Sequence, residues 1–388
     1  MSKKIFDEGV NRLNTNAIKY DKYKENFNTD KDDVIPMWIA DMDFKTCDEI
    51  TNALQNKLTI GNLGYDTVNG YYEAVANWMK KRHDLNINIE EIVYTPGVVT
   101  AINFLLKILV KENDKVMVQS PVYHSFFRVL NENKCDIVQS ELVINNNRYE
   151  IDFDEFEKKI STGVKVFILC NPHNPVGRVW AKEELERIVE ICESYKVFII
   201  SDEIHSDLVF KGNKHNSLTK VTPYYKDNIV TLTAPSKTFN LAGLYTSNAI
   251  ITNEKIRSDY KNLFSTDPNV LGATALIAAY NKCEYWLEEL LEYIENNYNY
   301  IVKYVNENLP KIKVTKQEGT FLVWLDCREL CLEDEQLSRF FIDKAGVILS
   351  SGTAFGNGGS GFMRMNIGCP LDTLKEALNR IKNASKDI

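Results

Sequence analysis

Ile229-Val230-Thr231-Leu232-Thr233-Ala234-Pro235-Ser236-Lys237-Thr238-Phe239-Asn240-Leu241-Ala242-Gly243 is the stretch on which the fold turns. Its first five residues are apolar or β-branched and read as a strand; small residues and a proline then end it. Lys237 therefore follows the carboxyl end of a buried strand, where open α/β sheets hold their ligands. Partly desolvated, such a lysine can lose its proton and act as an amine nucleophile toward a carbonyl. A loop lysine is more often a solvated surface residue, so the segments upstream decide its role.

Six more runs share the strand character: Ile92-Val93-Tyr94, Val116-Met117-Val118, Asp136-Ile137-Val138, Val166-Phe167-Ile168-Leu169, Val197-Phe198-Ile199-Ile200 and Asn248-Ala249-Ile250-Ile251. Most are short and continuously apolar, as strands covered on both faces are. Helical patterns lie between them. Residues 182–195 carry Leu185, Ile188, Val189 and Cys192 at helical spacing, and residues 98–110 are apolar nearly all round. The alternation predicts an α/β fold with a mostly parallel sheet flanked by helices.

The pattern changes after about residue 281. Residues 284–309 read as one long helix leading to a smaller α+β unit. That unit has strands at Phe321-Leu322-Val323-Trp324-Leu325 and Phe362-Met363-Arg364-Met365-Asn366-Ile367, and helices over 333–345 and 371–384. The first 45 or so residues show no strong period and are expected to pack against it. The expected division is a large domain over 46–283 and a small domain from 1–45 and 284–388.

Composition narrows the function. The 388 residues are 44% hydrophobic and 26% charged, an ordinary globular balance. A net charge of -8 without a basic block argues against nucleic acid. No apolar run approaches the ~18 residues that span a bilayer. Met1-Ser2-Lys3-Lys4-Ile5-Phe6-Asp7-Glu8 has no apolar core, so no signal peptide is read there. The eight scattered cysteines form no C-x-x-C pair and the five histidines lack ligand spacing; buried free thiols in the cytoplasm are expected, and no metal.

Three segments upstream of Lys237 follow strand ends. In Thr95-Pro96-Gly97-Val98-Val99-Thr100, the amides of Gly97, Val98 and Val99 are free at a helix start, a ready anion site. Asn171-Pro172-His173-Asn174-Pro175-Val176-Gly177-Arg178 is a fixed loop that aims Asn174. Ser201-Asp202-Glu203-Ile204-His205 puts Asp202 at the end of a buried strand, where a carboxylate needs a cation. An anion cradle, a carboxylate, an amide donor and a strand-end lysine together meet the needs of pyridoxal phosphate (PLP).

Asn-Pro-His-Asn-Pro-Val-Gly, Ser-Asp-Glu-Ile-His and Pro-Ser-Lys-Thr-Phe-Asn-Leu-Ala-Gly, in this order and spacing, resemble the fold-type I, class I/II aminotransferase superfamily over most of the chain. The resemblance implies a PLP-transferase fold with a seven-stranded sheet. It implies that Lys237 forms the Schiff base, that Asp202 pairs with the ring nitrogen, and that Asn174, with His205, donates to the ring hydroxyl oxygen. Tyr123, in Pro121-Val122-Tyr123-His124, resembles the aromatic stacked on the ring, and Arg364 the arginine that binds a substrate α-carboxylate. The superfamily commonly has a phosphate-binding arginine eight residues after the lysine, and a serine three before it; here Tyr245 and Ala234 stand there. Phosphate binding must then lean on the amides of residues 97–99, on Ser236 and on Thr233. Tyr65, in Leu63-Gly64-Tyr65-Asp66, resembles a residue lent by a second subunit, which implies a homodimer.

Pro36-Met37-Trp38-Ile39-Ala40-Asp41-Met42-Asp43-Phe44 is similar to the opening motif of the MalY/PatB branch, the cystathionine β-lyases and related carbon–sulfur lyases. Arg12, Thr15, Lys19 and Asp21 fit that branch as well. Without the resemblance Trp38 reads as core and the acids as solvated loop residues. With it, Ala40 joins Arg364 and Asn174 as a substrate-binding residue, and Lys237, Asp202 and Tyr123 are the catalytic set. The implied reaction is PLP-dependent cleavage of the Cβ–S bond of an S-substituted cysteine. The alternatives are an aminotransferase of an L-amino acid, which needs the same residues, and a regulatory PLP-binding protein. The glycines of Ser351-Gly352-Thr353-Ala354-Phe355-Gly356-Asn357-Gly358-Gly359 follow no dinucleotide fingerprint and read as a mobile loop near Arg364.

Overall fold

The computed structural model describes residues 5–387. Residues 1–4, the start of the stretch read for a leader, lie outside them. All seven expected strands join one sheet. Its order is Ile92–Thr95, Ser247–Ile251, Ile229–Thr233, Phe198–Asp202, Val164–Cys170, Lys115–Ser120 and Asp136–Glu141. Every pairing is parallel except the two made by Ser247–Ile251, which runs antiparallel to both its neighbours.

The period of two along each strand sorts its side chains into two cores. Val116, Val118, Val166 and Ile168 pack with Ala101, Ile102 and Leu105 of the helix Val98–Leu109. Met117, Phe167 and Leu169 face the other way, onto Leu185, Ile188 and Cys192 of the helix Lys182–Ser194. Each buried Val, Leu or Ile contributes about 1.5–3 kcal/mol, so a one-residue slip would exchange the two cores at great cost. That fixed register carries the site. Cys170 lies opposite Asp202, Asp202 opposite Leu232, and Thr233 opposite Asn248.

A second, antiparallel sheet has the order Lys313–Val314, Leu322–Asp326, Phe362–Asn366 and Ser350–Ser351. The helix Glu284–Asn308 leads to it, burying Leu287, Leu290, Ile294, Ile301 and Val305 along one stripe. The helix expected over 333–345 is α-helical over Asp334–Arg339 and continues as a π-helix over Phe340–Ala345. Residues 35–37 pair with this unit: Ile35–Pro36 runs parallel to Val347–Ile348, and the Asn366 backbone amide donates to the Met37 carbonyl at 2.9 Å.

The glycine-rich stretch 351–359 is not an open loop. It is a 3₁₀ turn over Gly352–Phe355 followed by a close crossing, and a Cβ on Gly352 would fall 2.0 Å from the Gly359 carbonyl oxygen. Glycine is required there because two backbone segments touch. Phe355 is fully buried and packs against Arg364, as the expected proximity demands.

Candidate active site

The carboxyl ends of the parallel strands open into a cavity of about 300 Å³. Its lining includes Ala40, Gly97, Val98, Val99, Tyr123, Asn174, Asp202, His205, Ser236 and Lys237. Ten of the residues singled out from sequence therefore meet at one place. Thr233 ends its strand beside them, and its buried Oγ1 has no protein partner. Tyr65 does not line this chain's cavity; its side chain is fully exposed.

Lys237 sits in the short helix Pro235–Thr238 directly after its strand. Its Nζ donates to the Ala40 carbonyl at 2.7 Å. Burial, reinforced by the charge of Arg364, lowers its pKa to about 8, against the pull of Asp41 and Asp202. Asp202 is buried and accepts the Ile204 amide at 3.1 Å; burial pushes its pKa up to about 7. A carboxylate so desolvated is completed by a cation in the cavity. His205 is also buried. Burial first, then Lys237 and Arg364, lower its pKa to about 3, which keeps the ring neutral, and its Nδ1 has no protein partner.

Arg364 is brought by the strand Phe362–Asn366. It donates from Nη1 to Asn174 Oδ1 at 3.2 Å, and from Nη2 to the Trp38 carbonyl at 2.7 Å and to Ser350 Oγ at 3.2 Å. It is buried, its Nε has no protein partner, and among the described residues no carboxylate pairs with it. A buried guanidinium in that condition has the charge and the free donor to bind a carboxylate. The bond to Asn174 orients that amide too: with Oδ1 occupied, the amide offers its Nδ2 hydrogens.

The end of the cavity at the helix start is built from backbone. The helix Val98–Leu109 starts at Gly97, and its first intrahelical bond is Ala101 to the Gly97 carbonyl, which leaves the amides of Val98, Val99 and Thr100 outside the helical ladder. Thr100, Thr246, Ser247 and Arg128 join the lining there, none of them singled out from sequence; Arg128 also binds Glu132 at 2.9 Å. Tyr245, standing where an arginine is common, is 69% exposed.

The fourth wall is the segment from Trp38 to Asp43, and side chains hold it. Asn366 Nδ2 donates to the carbonyls of Ile39 and Asp41, and Asn240 makes two bonds to the Met42 backbone, at 3.0 and 2.9 Å. Arg12 bonds Asp41 at 2.7 Å, and Lys19, 1% exposed, bonds Asp43 at 2.8 Å. Thr15 and Asp21 hold the preceding turn, through the Arg12 carbonyl and the Asn14 amide. Read without the resemblance, these acids belonged to a solvated loop. The structure corrects that for Asp43, which is buried because its cation is folded in with it. Asn240 and Asn366 were not singled out, although both lie within the quoted motifs.

The profile of the class I and II aminotransferases matches residues 32–381, and the chain belongs to that family. It is 41% identical over 385 residues to cystathionine beta-lyase PatB of Bacillus subtilis, covering 98% of this chain and 99% of that protein. Its structure resembles PLP-containing cystalysin from Treponema denticola, with a TM-score of 0.95, 34% identity and 98% of each chain covered. It also resembles a PLP-bound C–S lyase from Staphylococcus hominis, with a TM-score of 0.92, 37% identity and 98% of each chain covered.

Proposed function

We propose that this chain is a PLP-dependent carbon–sulfur β-lyase that cleaves cystathionine or a related S-substituted cysteine to a thiol, pyruvate and ammonia. One observation carries the reading: Lys237, Asp202, Asn174 and Ala40 line one cavity, and Arg364, without an ion-pair partner among the described residues, bonds to Asn174 at its wall and to the Trp38 carbonyl. The full-length likeness to C–S lyases supports it.

The residues present fit the cofactor. Asp202 would supply the carboxylate for its ring nitrogen, Asn174 and His205 would bind its hydroxyl oxygen, and Tyr123 would wall the ring. The amides of residues 97–99, with Ser236 and Thr233, would take the phosphate. Bound there, PLP supplies the electron sink that stabilises charge released at the substrate Cα.

The chain's own groups do the rest. Arg364 takes the substrate α-carboxylate and fixes the Cα–H bond against Lys237. Lys237, with its lowered pKa, accepts the Cα proton at Nζ. The departing sulfur takes a proton from Lys237 or Tyr123. Hydrolysis of the eliminated fragment then yields pyruvate and ammonia. The segment around Ala40 excludes water beside Nζ. Cystathionine supplied without a keto acid is expected to yield pyruvate; a strict requirement for a keto acid would make the enzyme an aminotransferase instead.

The wider reading is a cytoplasmic homodimer of chains, each with a large domain over 46–283 and a small domain from 1–45 and 284–388. Exposed Ile60, Leu63 and Tyr65 support a second copy covering that loop and bringing Tyr65 to its partner's phosphate site. Sedimentation checks this, and a fully active monomer would refute it.

A further inference from the structure

Outside the substrate cavity, two cysteines from distant parts of the chain meet. Cys47 precedes the helix Asp48–Thr59 as its N-cap. Cys283 joins the helices Val270–Lys282 and Glu284–Asn308 and is the N-cap of the second. Both thiols are buried. Glu49 completes the group: the two Sγ atoms and a Glu49 carboxylate oxygen all lie within 4.8 Å of one another. Cys47 Sγ donates to Glu49 Oε2 at 2.9 Å. The Tyr285 hydroxyl donates to the same carboxylate at 2.9 and 3.2 Å and stands 3.7 Å from Cys47 Sγ. Tyr285 is half exposed, so the group opens to solvent on that side.

Four acidic groups thus converge, with the charge of Lys282 acting on Glu49. We propose that Cys47, Cys283 and Glu49 are the three protein ligands of a soft divalent cation of the zinc class, with the Tyr285 hydroxyl or a water in the fourth position. Thiolate sulfur at about 2.3 Å and carboxylate oxygen at about 2.0–2.2 Å around a tetrahedral ion stand about 3.5–3.8 Å apart, so from separations within 4.8 Å the group closes with changes of at most about 1.3 Å. Binding releases the two thiol protons, while Glu49 enters already ionised. The loaded group, two thiolates and one carboxylate around a divalent ion, carries a net charge of about -1. The partial positive charges of two helix N-termini favour that charge. These ligands share no local spacing, which is why the sequence alone points to no metal.

A Cys47–Cys283 disulfide is the competing outcome. It would need an oxidant to take up two electrons, and it gives Glu49 no part. The test is a Cd²⁺ titration of reduced, reductant-free holoenzyme carrying Cys331→Ser, which removes the exposed thiol. Thiolate-to-metal charge-transfer absorbance is followed, and Zn²⁺ is then added as competitor. One equivalent should saturate the band, Zn²⁺ should displace it, and Zn²⁺ should raise Tm. Cys47→Ser and Cys283→Ser should each abolish the band, and Glu49→Gln should weaken Cd²⁺ at least about tenfold. A band that never saturates, or that survives in both serine variants, overturns the proposal. So does loss of two thiols without metal, restored by reductant. If either serine variant fails to fold, the partly exposed Glu49→Gln still decides: unchanged Cd²⁺ affinity overturns it.

Discussion

Two walls of the cavity are made in different ways. On one, Asp202, Asn174 and Lys237 follow strands whose register is locked by two apolar cores. On the other, the segment from Trp38 to Asp43 has no strand of its own and hangs from Arg364, Asn366, Asn240, Arg12 and Lys19. The first wall places groups by the backbone and leaves their chemistry to burial. The second places a backbone by individual side chains, each of which can be removed. Substitutions in the first should therefore stop chemistry in an intact fold, whereas those in the second should loosen substrate and stability together.

The largest expected effect is Lys237→Ala, which should leave no detectable pyruvate release and no visible absorbance from lysine-bound cofactor. A retained yellow chromophore would break the assignment. Asp202→Ala should follow, with kcat down on the order of 10³-fold and an unchanged circular dichroism spectrum, because an ionic interaction of several kcal/mol with the ring is lost. A near-normal kcat would remove the strand-end wall from catalysis.

The hooks give smaller numbers. Lys19→Met strips a buried carboxylate of its closest cation and should cost about 3–5 kcal/mol in denaturant unfolding; a loss within 0.5 kcal/mol, about the size of a surface substitution, would mean that Arg12 alone suffices. Asn240→Ala removes both bonds to the Met42 backbone and should cost about 1–3 kcal/mol in kcat/KM, with KM carrying much of the change. A pure kcat effect would move Asn240 to the first wall.

The mildest test is pH. Cofactor capture needs Asp202 ionised and Lys237 neutral, with free-protein values of about 7 and about 8. Both steps release a proton, so affinity should climb as pH rises through 7 and 8 and then level off. Affinity that falls across this range would contradict both assignments.

The contrast between the walls also explains what the sequence revealed. The seven strands were legible because each is a short apolar run buried on both faces, and the residues that follow such runs inherit a known place. Asp202 and Lys237 needed only that rule. The roles of Arg364, Asn174 and Tyr123 came from family likeness, since a lone arginine in a strand carries no address. Asn366 reaches carbonyls 327 and 325 residues away, and no local period records that distance. Lys19 and Asp43 are 24 residues apart in a region without periodicity, so their pairing was invisible as physics. The π-turn over Phe340–Ala345 was missed because its composition is that of an ordinary helix.

The bond from Lys237 to the Ala40 carbonyl spans 197 residues, and the strands that hold the Ala40 segment in place come later still. Ile35–Pro36 has no strand partner until Val347–Ile348 has been synthesised, and the Trp38 carbonyl gains its two donors only with Ser350 and Arg364. On a ribosome the first wall can therefore form well before the second. A nascent or C-terminally shortened chain would display its reactive lysine without the segment that covers it. The strand partner, Ser350 and Arg364 that hold this segment over the lysine all lie within residues 347–364, so the covering wall depends on a part of the chain made long after the lysine itself.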